Sequence, residues 1–218
     1  LSKERVAQHT RAQAQGARSA GDGQGLPSFG LNSQLVGKKD GSLEERVWRT
    51  SGMYGPALEE CVRWLEKARA IAANGEQAEA LDKLIAFYHS GELTDFDAYS
   101  VAWVKDRSSS IDLIHGFIET YGDAMGLRGT YEALIELVDK EATKRMRALS
   151  DNAAWFEAHA PIDDSFKKEQ VVGIEARVVE AVMAAGDSAP VMPTGVNLPN
   201  AQWIRERHGS KSVTLGNL

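Results

Sequence analysis

The sequence predicts an α+β fold, and three observations support this. Apolar residues recur at three-and-four spacing over residues 56–72 and 76–89, which predicts two helices. Apolar and polar residues alternate over residues 111–121, which predicts a strand. These segments lack the regular β–α–β alternation of a doubly wound sheet. With 218 residues and 43% hydrophobic content, the chain can bury the core of one large domain or two small ones.

The first 30 residues are expected to form a flexible segment. Residues 1–14 have a helix-forming composition, whereas the glycine-rich residues 16–30, which also contain Pro27, predict a loop. No Gly-Lys-Ser or Gly-Lys-Thr follows these glycines. The composition therefore favours a plain loop over a phosphate-binding one.

A β-hairpin is predicted after this segment. Residues 31–36 and 43–49 flank Asp40 and Gly41, and an Asp-Gly pair is typical of tight hairpin turns. Glycine supplies the positive φ that such a turn requires.

The two helices are predicted to pack as an antiparallel pair, because only a short link containing Asn74 and Gly75 separates them. Pro56 opens the first helix and Gly91 ends the second. Cys61 lies on the apolar side of the first helix and is expected to be a buried, unreactive thiol. As the single cysteine, it cannot form an intramolecular disulfide.

Shorter patterns predict the remaining elements. Residues 94–104 begin as a helix and become strand-like near Trp103. Thr130 caps a predicted long helix, which Pro161 ends. Residues 174–184 fit either a half-exposed strand or a short helix by periodicity.

Composition excludes several classes of function. A net charge of −6 and a pI near 5.4 argue against a nucleic-acid partner, since nucleic-acid-binding surfaces carry a basic stripe. No apolar run approaches the roughly 20 residues that span a bilayer, and the N-terminus lacks a signal-peptide core. A cytoplasmic protein without membrane or nucleic-acid partners is expected, although a chain that begins at Leu1 leaves a removed leader open.

Two short segments carry a resemblance to a known family: residues 116–123 (GFIETYGD) and 195–200 (GVNLPN). Three more segments follow the order and spacing of the same family: residues 103–106 (WVKD), 128–132 (RGTYE) and 209–217 (GSKSVTLGN). From about Gly30 to Leu218 the chain resembles the bacterial branch of the dipeptidyl peptidase III family. Members of this family are zinc enzymes that remove dipeptides from peptide N-termini.

The resemblance implies two lobes around a wide cleft, one with a small β-barrel and one mainly helical with zinc. Residues 31–129 would form the first part of the β-containing, substrate-binding lobe with its helical pair. Residues 130–172 would contribute a long helix to the helical lobe. Residues 173–218 would return to the β-containing lobe and supply an edge strand that binds substrate.

The family's zinc motif, His-Glu-x-x-Gly-His, is absent from this sequence and is expected beyond Leu218. The five histidines are scattered, so this chain is expected to lack the ligands of the zinc cofactor. No serine or cysteine hydrolase signature is present. The chain is therefore predicted to be the N-terminal to middle portion of a metallopeptidase, inactive alone. Its expected partners are short peptide substrates and the remaining C-terminal part of the enzyme.

Glu119 and Tyr121 are the first candidate site residues. In a strand they would share one face, with Cα atoms about 7 Å apart. A carboxylate on a partly apolar wall can bind a peptide's terminal ammonium. By the pattern alone, a solvated Glu119 and a Tyr121 that caps the core are favoured over a binding role. The resemblance implies that Glu119 binds the substrate's amino end and that Tyr121 donates to the oxyanion at the scissile carbonyl.

The segment between Pro193 and Pro199 is predicted to be an extended edge strand, because each proline withholds a donor and disfavours helix. Such an edge can accept a peptide as an added strand. The resemblance implies that Gly195, Asn197 and Asn200 hold the peptide there. By sequence alone, the favoured interpretations are that Asn200 is the N-cap of the following helix and that Asn197 is a turn residue, and neither excludes binding.

Glu132 and Trp103 are secondary candidates. The resemblance places Glu132 near the cleft, but a carboxylate in the first turn of the predicted long helix also favours the helix dipole. Trp103 aligns with an aromatic residue near the substrate path, and a core tryptophan is as good an interpretation. The alternative function is a non-catalytic peptide-binding or scaffold domain that uses the same edge strand.

Overall fold

The computed structural model describes residues 2–20, 30–171 and 174–218, with a mixed α+β architecture as predicted. The chain divides into two compact units. The first comprises residues 1–103 and 116–131, and the second comprises residues 104–115 and 132–218.

The first unit begins with helix α1 (Lys3–Ala20). The loop predicted from Gly16 is wrong as far as Ala20, because a single glycine among alanine and arginine does not outweigh their helix propensity. The rest of that predicted loop, residues 21–29, lies outside the described residues. Arg5 of α1 donates a hydrogen bond to the carbonyl of Gly41, which fastens the helix to the next element.

The predicted β-hairpin is confirmed. Strand β1 (Ser33–Gly37) pairs with β2 (Leu43–Val47) in antiparallel register. Gly41 in the connection has φ 85°, the positive value that the Asp-Gly pair predicts.

The predicted helical pair is also confirmed, with α2 (Gly55–Ala70) packed on α3 (Gly75–Ser90). Asn74 caps α3 by accepting a hydrogen bond from the amide of Gln77 at 2.7 Å, and Gly91 ends it with φ 73°. The pair contributes most of the buried apolar side chains in the described part of this unit: Leu58, Val62, Leu65, Ala80, Leu81, Leu84, Phe87 and Tyr88. Cys61 on α2 is half-buried, and its Sγ lies 3.7 Å from the hydroxyl of Tyr131.

Helix α4 (Leu93–Lys105) runs through the segment that was predicted to become strand-like near Trp103. That prediction is wrong because the consecutive apolar residues Ala102, Trp103 and Val104 are all buried in the helical conformation. A short run of this kind has no period that distinguishes strand from helix. The burial of Trp103 supports its interpretation as a core residue.

A five-stranded sheet follows, with strand order β3-β4-β5-β7-β6. The bounds are β3 (Ile111–Phe117), β4 (Tyr131–Val138), β5 (Ile174–Gly186), β6 (Gly195–Leu198) and β7 (Ser210–Leu215). Strands β4 and β5 are antiparallel, β5 and β7 parallel, and β6 and β7 antiparallel. Within the described residues both sheets are open, so the predicted barrel-like lobe is not confirmed.

The long helix predicted from Thr130 is wrong at its start. Residues 131–138 form β4, and helix α5 (Lys140–Asp151) begins only after Asp139, whose carboxylate accepts from the amide of Ala142 at 2.9 Å. A second short helix, α6 (Ala153–Ala158), follows. The apolar spacing of residues 131–138 fits both the two-residue period of a strand and the 3.6-residue period of a helix. Pairing with β5 therefore decides their conformation.

The core of the second unit lies around Val179, Val213 and Leu215. Helix α5 packs on β5, where the hydroxyl of Thr143 accepts from the amide of Val178 at 3.0 Å. A last short helix, α7 (Gln202–Arg207), connects β6 to β7. None of the helices in the described part of the chain is long and apolar enough to cross a membrane.

Candidate functional site

Glu119 and Tyr121 lie just beyond the end of β3, in the first unit. The amide of Ile118 donates to the carbonyl of Thr130 at 3.0 Å, and the amide of Thr130 donates to the carbonyl of Glu119 at 2.8 Å. These two bonds continue the hydrogen bonding between the chain segments of β3 and β4 as far as Glu119. Tyr121 lies on the turn that follows and is 85% exposed. The predicted common strand face is therefore wrong, because the chain turns at residues 121–122.

Two glycines of the family motifs allow the backbone to approach closely here. A Cβ on Gly116, whose φ is 156°, would lie 2.7 Å from the ring of Phe96. A Cβ on Gly129 would lie 2.7 Å from the carbonyl carbon of Phe117. Real Cβ atoms do not tolerate such contacts, so these positions require glycine to place the segment that carries Glu119.

Strand β6 is an edge strand, as the flanking prolines predict. The amide of Leu215 donates to the carbonyl of Thr194 at 3.0 Å, and the register pairs Gly195 with Thr214 and Asn197 with Ser212. Because hydrogen-bonded and non-hydrogen-bonded pairs alternate in an antiparallel ladder, the main-chain groups of Gly195 and Asn197 face away from β7. They face the edge on which no described strand pairs.

Asn200 lies two residues beyond the end of β6, and helix α7 begins two residues later. Its interpretation as the N-cap is wrong: the N-cap of α7 is Ala201, which makes no side-chain cap. The interpretation of Asn197 as a turn residue is also wrong, since it lies within β6. The structure thus brings these two asparagines together at the end of one edge strand.

Glu132 lies at the start of β4 in the second unit, not in a helix. The helix-dipole explanation for this carboxylate is therefore wrong. Its Oε2 accepts a hydrogen bond from the hydroxyl of Ser188 at 3.2 Å. The candidate residues are thus divided between the units: Glu119 and Tyr121 in the first, and Glu132, Gly195, Asn197 and Asn200 in the second.

The second unit also contains four buried charged side chains that the sequence did not single out. One comes from each of four neighbouring strands, and we call them the buried charge cluster: Asp112 of β3, Glu136 of β4, Arg177 of β5 and Lys211 of β7. Each is at most 3% exposed. Asp112 Oδ2 accepts from Arg177 Nη1 at 2.8 Å and from Lys211 Nζ at 2.9 Å. Arg177 Nη2 also donates to the carbonyl of Asp106 at 2.7 Å.

The charges in this cluster alter one another's proton affinity. Burial, together with the nearby carboxylate of Asp112, raises the pKa of Glu136 to about 7, while Lys211 and Arg177 oppose the change. Burial lowers the pKa of Lys211, and Asp112 opposes it. Both carboxylate oxygens of Glu136 are buried without a hydrogen-bond partner among the described residues. Glu136 can therefore hold a proton near neutral pH.

Strand β3 buries Asp112 and Ile114 on one face and leaves Ile111, on the other face, 52% exposed. One signal in the sequence could have indicated the cluster: a charged residue between apolar neighbours within a strand. Arg177, between Ala176 and Val178, is an example. Burial lowers the pKa of His115 on the other face to about 4.

Comparison with known proteins decides the family. The model of Peptidase family M49 matches residues 31–218. The chain belongs to this family. The human protein named dipeptidyl peptidase 3 is 28% identical over 211 residues, which cover 90% of this chain and 28% of that protein. Its counterpart in Dictyostelium discoideum is 35% identical over 167 residues, which cover 77% of this chain and 24% of that protein. The resemblance to the dipeptidyl peptidase III family is confirmed.

The fold of this M49 chain is found in solved structures of the family. Dipeptidyl-peptidase III from Corallococcus sp. strain EGB superposes with a TM-score of 0.81 and 21% sequence identity, over 100% of this chain and 38% of that one. The chain thus spans between 24% and 38% of the length of these relatives. Within the described residues, no group of three His, Cys, Asp or Glu side chains is placed to hold a metal ion.

Proposed function

We propose that this chain is the part of a zinc-dependent dipeptidyl peptidase that binds the amino end of a peptide and stabilises the transition state. The observation that carries the proposal is the family match over residues 31–218, which includes Glu119, Tyr121 and β6. The full-length protein would be a cytoplasmic enzyme. Residues 31–129 and 173–218 would belong to its substrate-binding lobe, and residues 130–172 to its helical lobe.

In this proposal, a peptide substrate pairs with the free edge of β6. The main-chain groups of Gly195 and Asn197, which face that edge, supply hydrogen bonds that do not depend on the peptide's side chains. Such bonds suit an enzyme that accepts many peptides. The exposure of Gly195 and Asn197 supports this role, since neither is covered by the rest of its unit.

The amino end of the peptide is held by charge and by amide groups. The carboxylate of Glu119 accepts the terminal ammonium, in a charge-assisted hydrogen bond. The side chains of Asn197 and Asn200 bind the first residues, and Glu132 adds a second carboxylate near the cleft. Anchoring the ammonium at a fixed distance from the scissile bond is what makes the product a dipeptide.

Tyr121 is the catalytic residue of this chain in the proposal. Its hydroxyl donates to the carbonyl oxygen that becomes negatively charged in the tetrahedral transition state. Zinc, which supplies an activated water in this class of enzyme, would be held by residues outside this chain. Among the described residues, no three His, Cys, Asp or Glu side chains lie close enough together to hold the metal.

The proposal is tested by incubating the full-length protein with a hexapeptide and identifying the products by mass spectrometry. We expect successive release of dipeptides from the amino end. We also expect a metal chelator to abolish the reaction and added zinc to restore it. Release of single residues, internal cleavage, or binding without hydrolysis would contradict the proposal, and the last result would favour the scaffold alternative.

A further inference from the structure

The first unit contains a cavity of about 340 Å³ that the proposed function does not use. Ligand pockets in proteins range from about 300 to 1,000 Å³, so this volume suits one side chain or a small molecule. The cavity lies between β1, the segment after β2 and the loop over residues 123–128. Its walls are mainly apolar: Leu35, Trp48, Met53, Tyr54, Met125 and Leu127.

Hydrogen bonds hold the loop wall of this cavity in place. The carboxylate of Asp123 accepts from the amides of Leu127 at 2.8 Å and Arg128 at 3.2 Å. The guanidinium of Arg128 donates to the carbonyl of Gly30 at 2.7 Å, which ties the loop to the start of the hairpin. A cavity fixed in this way needs little ordering when a ligand enters.

The chemistry of the walls specifies the group that fits. The rings of Trp48 and Tyr54 meet edge to face, 5.6 Å apart, and Met53 and Met125 add adaptable thioethers. A ligand with a large apolar group would fill the space and contact these rings and thioethers. A large apolar residue of a peptide carries such a group.

Chain connectivity brings the cavity close to the proposed substrate. Asp123 borders the cavity and follows Tyr121 by two residues, so their Cα atoms are at most about 7 Å apart. We infer that the cavity is a specificity pocket for a large apolar side chain of the peptide whose scissile bond lies at Tyr121. This inference rests on the proposed function and adds a substrate preference to it.

The test combines a substitution that obstructs the cavity with a scan of peptide sequence. Gln34 is an exposed residue on the border of the cavity, and Arg46 is its exposed partner across the hairpin, outside the cavity. In a scan that places Phe or Ala at each peptide position in turn, we expect one position to show a preference in the full-length wild-type protein. There kcat/KM should be about 10-fold or more higher with Phe than with Ala. Gln34→Trp is expected to remove this preference by slowing only the Phe peptide, whereas Arg46→Trp keeps it.

A binding measurement separates failure of the inference from failure of the proposed function. In full-length protein with 13C-methyl-labelled methionine, N-acetyl-phenylalanine amide is expected to shift the methyl signals of Met53 and Met125. It is expected to leave the signal of Met183, an exposed methionine of the other unit, unchanged. Unchanged signals of Met53 and Met125, or equal slowing of Phe and Ala peptides by Gln34→Trp, would overturn the inference. Absence of dipeptide release by the wild type would instead overturn the proposed function.

Discussion

Asp112→Asn is expected to reduce the free energy of unfolding of the second unit by about 3–5 kcal/mol. The substitution keeps the shape of the side chain but removes the carboxylate that accepts from both Arg177 and Lys211. Two buried cations then lose their shared anion. Burial already lowers the pKa of Lys211, so loss of its proton in the variant offsets part of this cost. Urea titration with hydrogen exchange of the β5 and β7 amides measures the change within this unit.

Glu136→Gln is the matched control, because Glu136 is equally buried in the same cluster but has no hydrogen-bond partner among the described residues. Its pKa rises from 4.5 to about 7 on folding, so the contribution of Glu136 to the free energy of unfolding falls as the pH rises from about 4.5 to about 7. The glutamine variant lacks this dependence and is at least as stable as wild type at pH 8. Equal stability of the Asp112→Asn variant and the wild type would show that the cluster does not hold the strands together.

Tyr121→Phe in the full-length enzyme is expected to lower kcat by about 100- to 1,000-fold, the usual effect of removing one oxyanion donor. KM should change by less than about 3-fold, because the hydroxyl acts on charge that develops only in the transition state. The side chain is 85% exposed in this chain, so its loss should leave the fold intact. Steady-state kinetics on a dipeptide-releasing substrate measure both constants.

The result that would remove Tyr121 from its assigned role is a rise in KM with unchanged kcat. That pattern would mean that the hydroxyl binds the ground state and the transition state equally well. Thermal unfolding of the variant is the accompanying control. An unchanged transition temperature shows that the kinetic effect is local.

Local chemistry made several elements of this fold predictable. Gly41 marked the hairpin turn, Asn74 and Gly91 lay at the two ends of α3, and Pro193 and Pro199 bracketed the edge strand. In each case one or two residues restrict the backbone whatever the rest of the chain does.

The segments that failed were decided by distant partners. Residues 131–138 became a strand because β5, more than 40 residues away, pairs with them. Asp112 became buried because Arg177 and Lys211, 65 and 99 residues along the chain, supply its ion pairs. Periodicity within a short window contains no information about such contacts.

The candidate site was predictable only as a set of residues. Motifs named Glu119, Tyr121 and Asn197, but their placement depends on features outside the motifs. The fit of Gly116 against Phe96 and the pairing of β6 with β7 both involve contacts between distant parts of the sequence.

The most direct test of the central claim, that Glu119 binds the terminal ammonium, compares a peptide with its Nα-acetylated form. Calorimetry on the full-length protein with a chelator present would give both affinities. Acetylation is expected to weaken binding by about 10- to 100-fold in the wild type and in Glu59→Ala, an exposed-glutamate control in the same unit. In Glu119→Ala the two peptides should bind within about 2-fold of each other. An equal loss on acetylation in the wild type and in Glu119→Ala would contradict the account.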